Sequence, residues 1–86
     1  MANKLITLRG TDTANNTALV NFTIEMWDIE DPADIFLGEG ITDTNGETII
    51  EVTETTFNKV FIDSSPSIYY KVFSGGTLVS NSRNPD

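Results

Sequence analysis

The most constraining feature of this 86-residue chain is a sustained alternation of apolar and polar side chains over residues 19–27. One face of this segment carries Val20, Phe22, Ile24 and Met26, whereas the other carries mostly polar side chains and ends with Trp27. A period of two residues is typical of a half-buried β-strand and does not fit the 3.6-residue period of a helix. The segment therefore predicts a strand that packs one face against a core.

Several shorter segments also have the composition of strands. We predict them at residues 4–10, 35–42, 47–53, 67–74 and 77–80. Ile50 and Val52 are predicted to share one face of the strand at 47–53, and Leu78 is predicted to point inward from the last strand. Of the 86 residues, 26 are Ile, Val or Thr, and such β-branched side chains favour a pleated sheet. Asn45-Gly46 and Gly75-Gly76 have the composition of tight hairpin turns. Phe57, Val60 and Phe61 have a helical spacing, which predicts a short helix near residues 55–62.

Together these elements predict a fold class. A chain of 86 residues corresponds to one small domain, residues 1–86. Six to eight short strands with regularly spaced turns, plus one short helix, are typical of an all-β protein built as an antiparallel β-sandwich.

The charge distribution argues against some partners. The chain has thirteen acidic and five basic residues, and no basic residue lies between Gly10 and Asn58. Such a stretch repels phosphate groups, so we expect no nucleic-acid binding. No apolar run is long enough to span a bilayer, and the first residues do not form a signal peptide. We therefore expect synthesis in the cytoplasm and no membrane insertion. Incorporation into a larger assembly is compatible with both expectations.

The chain contains neither histidine nor cysteine. Their absence excludes a histidine general base, a Ser-His-Asp triad, disulfides and cysteine-based zinc sites. Glu47 and Glu51 form a pair of carboxylates, but we interpret them as the solvent face of a strand. We therefore expect a protein that is not an enzyme.

One loop concentrates carboxylates. Asp28, Glu30, Asp31 and Asp34 fall within seven residues, and calcium takes six to eight oxygen ligands. These four residues are the candidate metal ligands, with Asp12 or Asp63 as the source of a second acidic loop, and calcium is the one cofactor considered. The alternative is a solvated loop whose aspartates cap turns.

Aromatic side chains suggest a second kind of site. Trp27, Tyr69 and Phe73 are the candidate interface residues, because aromatic side chains exposed on one face of a sheet favour contact with another molecule.

The order of these segments resembles the transthyretin-like (prealbumin-like) β-sandwich family. The resemblance lies in the strand that ends in Trp27-Asp28, the acidic loop after it, Phe36-Leu37-Gly38, the turn at Thr42-Asp43-Thr44-Asn45-Gly46, and the segment 66–73. It implies a transthyretin- or immunoglobulin-like sandwich. The enzymatic branch of that family depends on histidines, so the resemblance implies its non-enzymatic branch.

The sequence favours two functions, and a carboxylate-based hydrolase is a distant third. The first is a non-catalytic interaction module, a structural or accessory subunit of a larger bacterial or viral assembly that contacts a protein partner or a second copy of itself. The second is a calcium-dependent module that binds carbohydrate or a surface through the acidic loop 28–34.

Overall fold

A computed structural model describes residues 3–62 and 65–83 of the chain. The elements in chain order are β1 (Lys4–Arg9), β2 (Thr11–Asp12), β3 (Thr17–Ala18), β4 (Thr23–Asp28), β5 (Ile35–Ile41), β6 (Glu47–Val52), the helical turn α1 (Glu54–Phe57), which continues as a π-helical turn (Asn58–Ile62), β7 (Ile68–Ser74) and β8 (Thr77–Asn81). The predicted all-β class and the predicted short helix are both confirmed.

The strands form one large and two small antiparallel sheets. The large sheet has the order β5-β4-β7-β8, β1 pairs with β6, and β2 pairs with β3 in a short hairpin. Strand β4 therefore lies between β5 and β7, and β7 lies between β4 and β8. The result is a sandwich-like fold in which two strands face part of a four-stranded sheet.

The core lies between these two layers and the helical turn. Met26, Leu37, Ile50, Val52 and Val60 form its buried centre. Met26 and Leu37 come from the large sheet, Ile50 and Val52 come from β6 as the sequence predicts, and Val60 comes from the π-helical turn. Apolar burial of this kind is the main favourable contribution to folding.

The turn at residues 43–46 connects the two layers rather than two paired strands. Asp43 donates its backbone N–H to Glu47 at 2.8 Å, and its side chain accepts from the backbone N–H groups of Asn45 and Glu47. The predicted turn is present, but the expectation that it closes a hairpin is wrong, because β5 pairs with β4 and β6 pairs with β1. The chain uses this turn as a corner of the sandwich.

The strand predicted for residues 19–27 is shorter than the alternation suggested. Asn21 has a φ of 65°, in the left-handed region, so the chain turns before β4 begins at Thr23. Val20 is consequently 47% exposed, whereas Ile24 and Met26 are buried as predicted. Periodicity located the strand correctly but extended it through a residue whose backbone leaves the sheet.

The sandwich is closed at the β5–β6 corner and open on the opposite side. Within residues 3–62 and 65–83, the outer edges of β1 and β8 have no strand partner. Between them lies a groove of about 720 Å³, whose lining includes Leu8, Phe22 and Tyr70. The two-stranded layer therefore leaves part of the inner face of the large sheet uncovered.

Candidate protein-binding surface

The outer face of the large sheet collects side chains from all four of its strands. Side chains alternate between the two faces of a strand, so Ile24 and Met26 point to the core and their neighbours point away from it. The strand register brings these outward positions into rows across the sheet. We define the outer face as Thr23, Glu25, Trp27, Phe36, Glu39, Ile41, Tyr69, Lys71, Phe73, Leu78 and Asn81.

An aromatic row crosses one end of the outer face. Trp27 lies opposite Phe36 on one side and Tyr69 on the other. The Trp27 and Phe36 rings meet edge to face with centroids 5.2 Å apart, and the Trp27 and Tyr69 rings are stacked at 6.2 Å. These are the favourable geometries for aromatic pairs. The row is a set of aromatic rings in mutual contact, of which Phe36 is the most exposed.

A charged row crosses the middle. Its order across the sheet is Glu39, Glu25, Lys71 and Asn81. The Lys71 Nζ atom lies 4.4 Å from the centre of the Trp27 ring, and the Trp27 indole N–H donates to Glu25 Oε1 at 3.0 Å. Negative charge therefore lies towards β5 and positive charge towards β8.

An apolar row crosses the other end, in the order Ile41, Thr23, Phe73 and Leu78. Ile41 is 62% exposed and Leu78 is 47% exposed. The expectation that Leu78 points inward is wrong. Because the register shifts between Val72 and Phe73, Val79 lies opposite neither of them. Leu78 therefore lies opposite Phe73 and points outward with it.

Tyr69 is the buried member of the outer face. It is only 3% exposed, and its hydroxyl donates to Asp34 Oδ2 at 2.7 Å. Arg83 Nε donates to the same oxygen at 2.8 Å. These two hydrogen bonds, chiefly the one from Arg83, lower the pKa of Asp34 to about 2. Burial, followed by the hydrogen bond to Asp34, raises the pKa of Tyr69.

The predicted acidic loop is divided between the two faces of the sheet. Asp28 is completely buried on the core side and accepts a hydrogen bond from the Ser67 backbone N–H at 2.9 Å. Asp34 lies on the other side with Arg83 and Tyr69, whereas Glu30 and Asp31 are exposed. Across the described ranges, no three carboxylates are grouped so that they could hold a metal ion.

The two further acids proposed for a second loop add little. Asp12 accepts a hydrogen bond from the Ala14 backbone N–H at 2.9 Å, as in a turn, and Asp63 lies outside the described residues.

Asp28 and Glu30 nevertheless interact. Asp28 Oδ2 is buried, and none of the described donors reaches it. A hydrogen bond to Asp28, followed by charge repulsion from Asp28, raises the pKa of Glu30. The carboxyl groups of Asp28 and Glu30 are therefore close enough to interact.

The predicted interface residues Trp27, Tyr69 and Phe73 all lie on the outer face, but Tyr69 is only 3% exposed and offers almost no surface to a partner. The sequence did not indicate Phe36, Ile41 and Lys71, because only the register across strands shows that they lie beside the predicted aromatics. A cross-strand signal of this kind is not contained in the periodicity of any one segment.

No family model, curated protein or solved structure matches this chain. The transthyretin-like resemblance therefore stays a hypothesis that rests on the order of sequence segments alone. In the part of the chain that the structure describes, no helix has the length and apolarity needed to cross a membrane.

Proposed function

We propose that this protein is a non-catalytic interaction module that contacts another protein through the outer face of its four-stranded sheet. The observation that carries the proposal is the exposure of Ile41, Leu78 and Phe36 on a single face, beside Trp27 and Phe73. Exposed apolar side chains that are grouped on one face and bordered by polar groups mark interaction sites. On the outer face they form two groups, one at each end, with the charged row between them. Aromatic side chains are also enriched in protein interfaces.

The outer face of the small sheet is a weaker candidate. Leu5 and Ile49 are exposed there, but Leu5 lies opposite Glu51 and Ile49 lies opposite Thr7. Arg9 and Glu47 complete that face. That face carries two exposed apolar side chains and no aromatic one, because β1 and β6 contain no aromatic residue, so Ile49 is a suitable control position.

Site-specific photo-cross-linking tests the proposal. A benzophenone amino acid is introduced at Leu78, or at Ile49 as the control, and the protein is irradiated in the organism that produces it. The proposal predicts protein adducts from position 78 and few or none from position 49. Equal yields from both positions, or no adduct from position 78, would contradict it.

Calcium-dependent binding is the second candidate, supported by the buried Asp28 oxygen beside Glu30. Against it, Asp34 is already hydrogen-bonded to Arg83 and Tyr69, which removes one of the four predicted ligands. Calorimetric titration with calcium separates the two candidates. Heat of binding and a higher melting temperature in millimolar calcium would support this second function, and the absence of both would exclude it.

A further inference from the structure

We propose that the partner of the outer face is a second copy of the same chain, bound through a two-fold symmetric interface. This inference rests on the proposed function and identifies the partner. It derives from the arrangement of the three rows, because the charged row is acidic towards β5 and basic towards β8. Such a face is complementary to itself when it is rotated.

The symmetry axis that uses this complementarity lies in the plane of the interface, parallel to the strands, between β4 and β7. Rotation by half a turn about it places β4 of one copy over β7 of the other, and β5 over β8. Positions along the strands are unchanged by this rotation. Each row of one copy therefore meets the same row of the other, which is the self-complementary contact of a two-fold dimer.

The charged rows then pair favourably. Glu25 of each copy lies over Lys71 of the second copy, and Glu39 lies over Asn81. Because the contact is symmetric, the Glu25–Lys71 pair occurs twice. Complementary charges of this kind set the register of an interface and disfavour other partners.

The other two rows also match. In the apolar row, Ile41 of one copy lies over Leu78 of the second copy, and both side chains are exposed in the single chain. In the aromatic row, Trp27 of each copy lies over Tyr69 of the second copy, and Phe36 lies over the chain that follows β8. No row places like charges together.

The size of the face sets the strength of the dimer. Four strands spaced by about 4.8 Å and three side-chain layers about 6.7 Å apart cover roughly 400 Å² on each copy. Two such patches fall below the about 1,200 Å² of stable specific complexes, in the range of transient ones. Two packed sheets cross at about −30°, so the strands of the two copies diverge with distance from the axis. The contacts between β4 of one copy and β7 of the other therefore deviate least from the pairing described above. We therefore expect a weak dimer that dissociates on dilution.

Charge exchange across the interface is the test. Sedimentation equilibrium is recorded for the full chain, for E25K, for K71E, and for an equal mixture of the two variants. Each variant alone places like charges over each other twice, so we expect its self-association to weaken at least about tenfold. In the mixture, the lysine introduced at position 25 of one variant meets the glutamate introduced at position 71 of the other, and native Lys71 meets native Glu25.

We therefore expect the mixture to regain dimers that neither variant forms alone. This rescue cannot come from within a chain, because each variant keeps its own altered charge. The net charge of −8 repels between copies, so the measurement uses about 0.15 M salt, where the screening length is about 8 Å. The inference is overturned if the full chain stays monomeric up to about 1 mM. It is also overturned if the mixture contains no more dimer than each variant forms alone.

A second pair of variants applies if a charge reversal at β4 or β7 prevents folding. I41D and L78K change exposed side chains near the sheet margins. In their mixture, the aspartate introduced at position 41 of one variant lies over the lysine introduced at position 78 of the other. Here too, only the mixture is expected to dimerise. The cross-linking from position 78 separates the two proposals: an adduct with a different protein alone keeps the proposed function and rejects the dimer.

Discussion

The ammonium group of Lys71 lies 4.4 Å from the centre of the Trp27 ring, directly above the outer face of the large sheet. Trp27 also donates to Glu25, which faces Lys71 across the β4–β7 pair. The three side chains hold one another in place before any partner binds. A preorganised surface loses less conformational entropy on association, which favours its use as a binding site.

Replacement of this lysine is expected to weaken the fold measurably. Lys71→Met removes the cation above the ring, and exposed cation–π contacts contribute about 0.5–1 kcal/mol. The free energy of unfolding in urea, measured at a low protein concentration, is expected to fall by that amount. Lys59→Met, an exposed lysine on the π-helical turn, serves as the control. An equal loss in both variants would show that the ring contact does not stabilise the chain.

The ion pair between Asp34 and Arg83 predicts a loss of stability in acid. The pKa of Asp34 is lowered from 3.8 to about 2, so its ionised form stabilises the folded state. This stabilisation is present above about pH 4 and is lost as the pH falls through 2. Asp34→Asn is therefore expected to melt below the unmodified protein at pH 7, with the difference narrowing between pH 4 and pH 2.

Glu39→Gln is the control for Asp34→Asn, because it removes one negative charge from an exposed position of β5. At pH 7, the melting temperature of Glu39→Gln should lie closer to that of the unmodified protein than the melting temperature of Asp34→Asn does. A difference for Asp34→Asn that stays constant down to pH 2 would contradict the role of this ion pair.

Glu30 predicts the opposite pH dependence. Asp28 raises the pKa of Glu30 above its ordinary value of 4.5, so the protonated form of Glu30 stabilises the folded state. This stabilisation is fully present below pH 4.5 and is lost as the pH rises through the raised pKa. Glu30→Gln keeps a donor for the buried Asp28 oxygen without a charge. We expect it to melt above the unmodified protein at pH 7 and close to it at pH 4. A variant that melts lower at pH 7 would show that the negative charge itself is required, as a bound cation would demand.

Gly40 permits the close approach of β5 to β6. A Cβ atom there would collide with Thr48 Oγ1 and lie 3.0 Å from the Ile49 carbonyl oxygen. Gly40→Ala is therefore expected to reduce the free energy of unfolding by about 1–3 kcal/mol, as overpacking does. At Gly10, the nearest atom to an added Cβ would be the end of the Leu19 side chain at 3.2 Å, which can move aside. Gly10→Ala should reduce the free energy of unfolding by less than Gly40→Ala. Equal reductions in the two variants would argue against contact with the β6 backbone as the cause of the loss at Gly40.

The sequence predicted the fold class and most of the strands because alternation and turn composition are local properties. Ile50 and Val52 are buried side by side, and the turn at Gly75-Gly76 joins β7 to β8, both as predicted. Errors arose where the outcome depends on a neighbouring strand. Leu78 points outward because of a register shift against β7, and the turn at Asn45-Gly46 joins two layers because β6 pairs with β1.

The candidate site was predicted in part for the same reason. Trp27 and Phe73 lie in segments whose alternation places them on one face, so their outward orientation follows from the sequence. Asp28 and Asp34 were predicted to act together, but Asp28 belongs to the inward positions of β4 and Asp34 follows a loop that returns to the outer side. The order of residues in the loop did not show that Asp34 is hydrogen-bonded to Tyr69 and Arg83, whereas Asp28 accepts from the Ser67 backbone.

We propose that the outer face of the large sheet makes the protein contact and that a second copy occupies it. The most direct measurement is a dilution series of amide chemical shifts by nuclear magnetic resonance. The account predicts concentration-dependent shifts at Glu25, Trp27, Lys71 and Phe73, with Thr7 and Ile49 unchanged on the opposite layer. Shifts that centre on β1 and β6, or spectra that do not change with concentration, would contradict it.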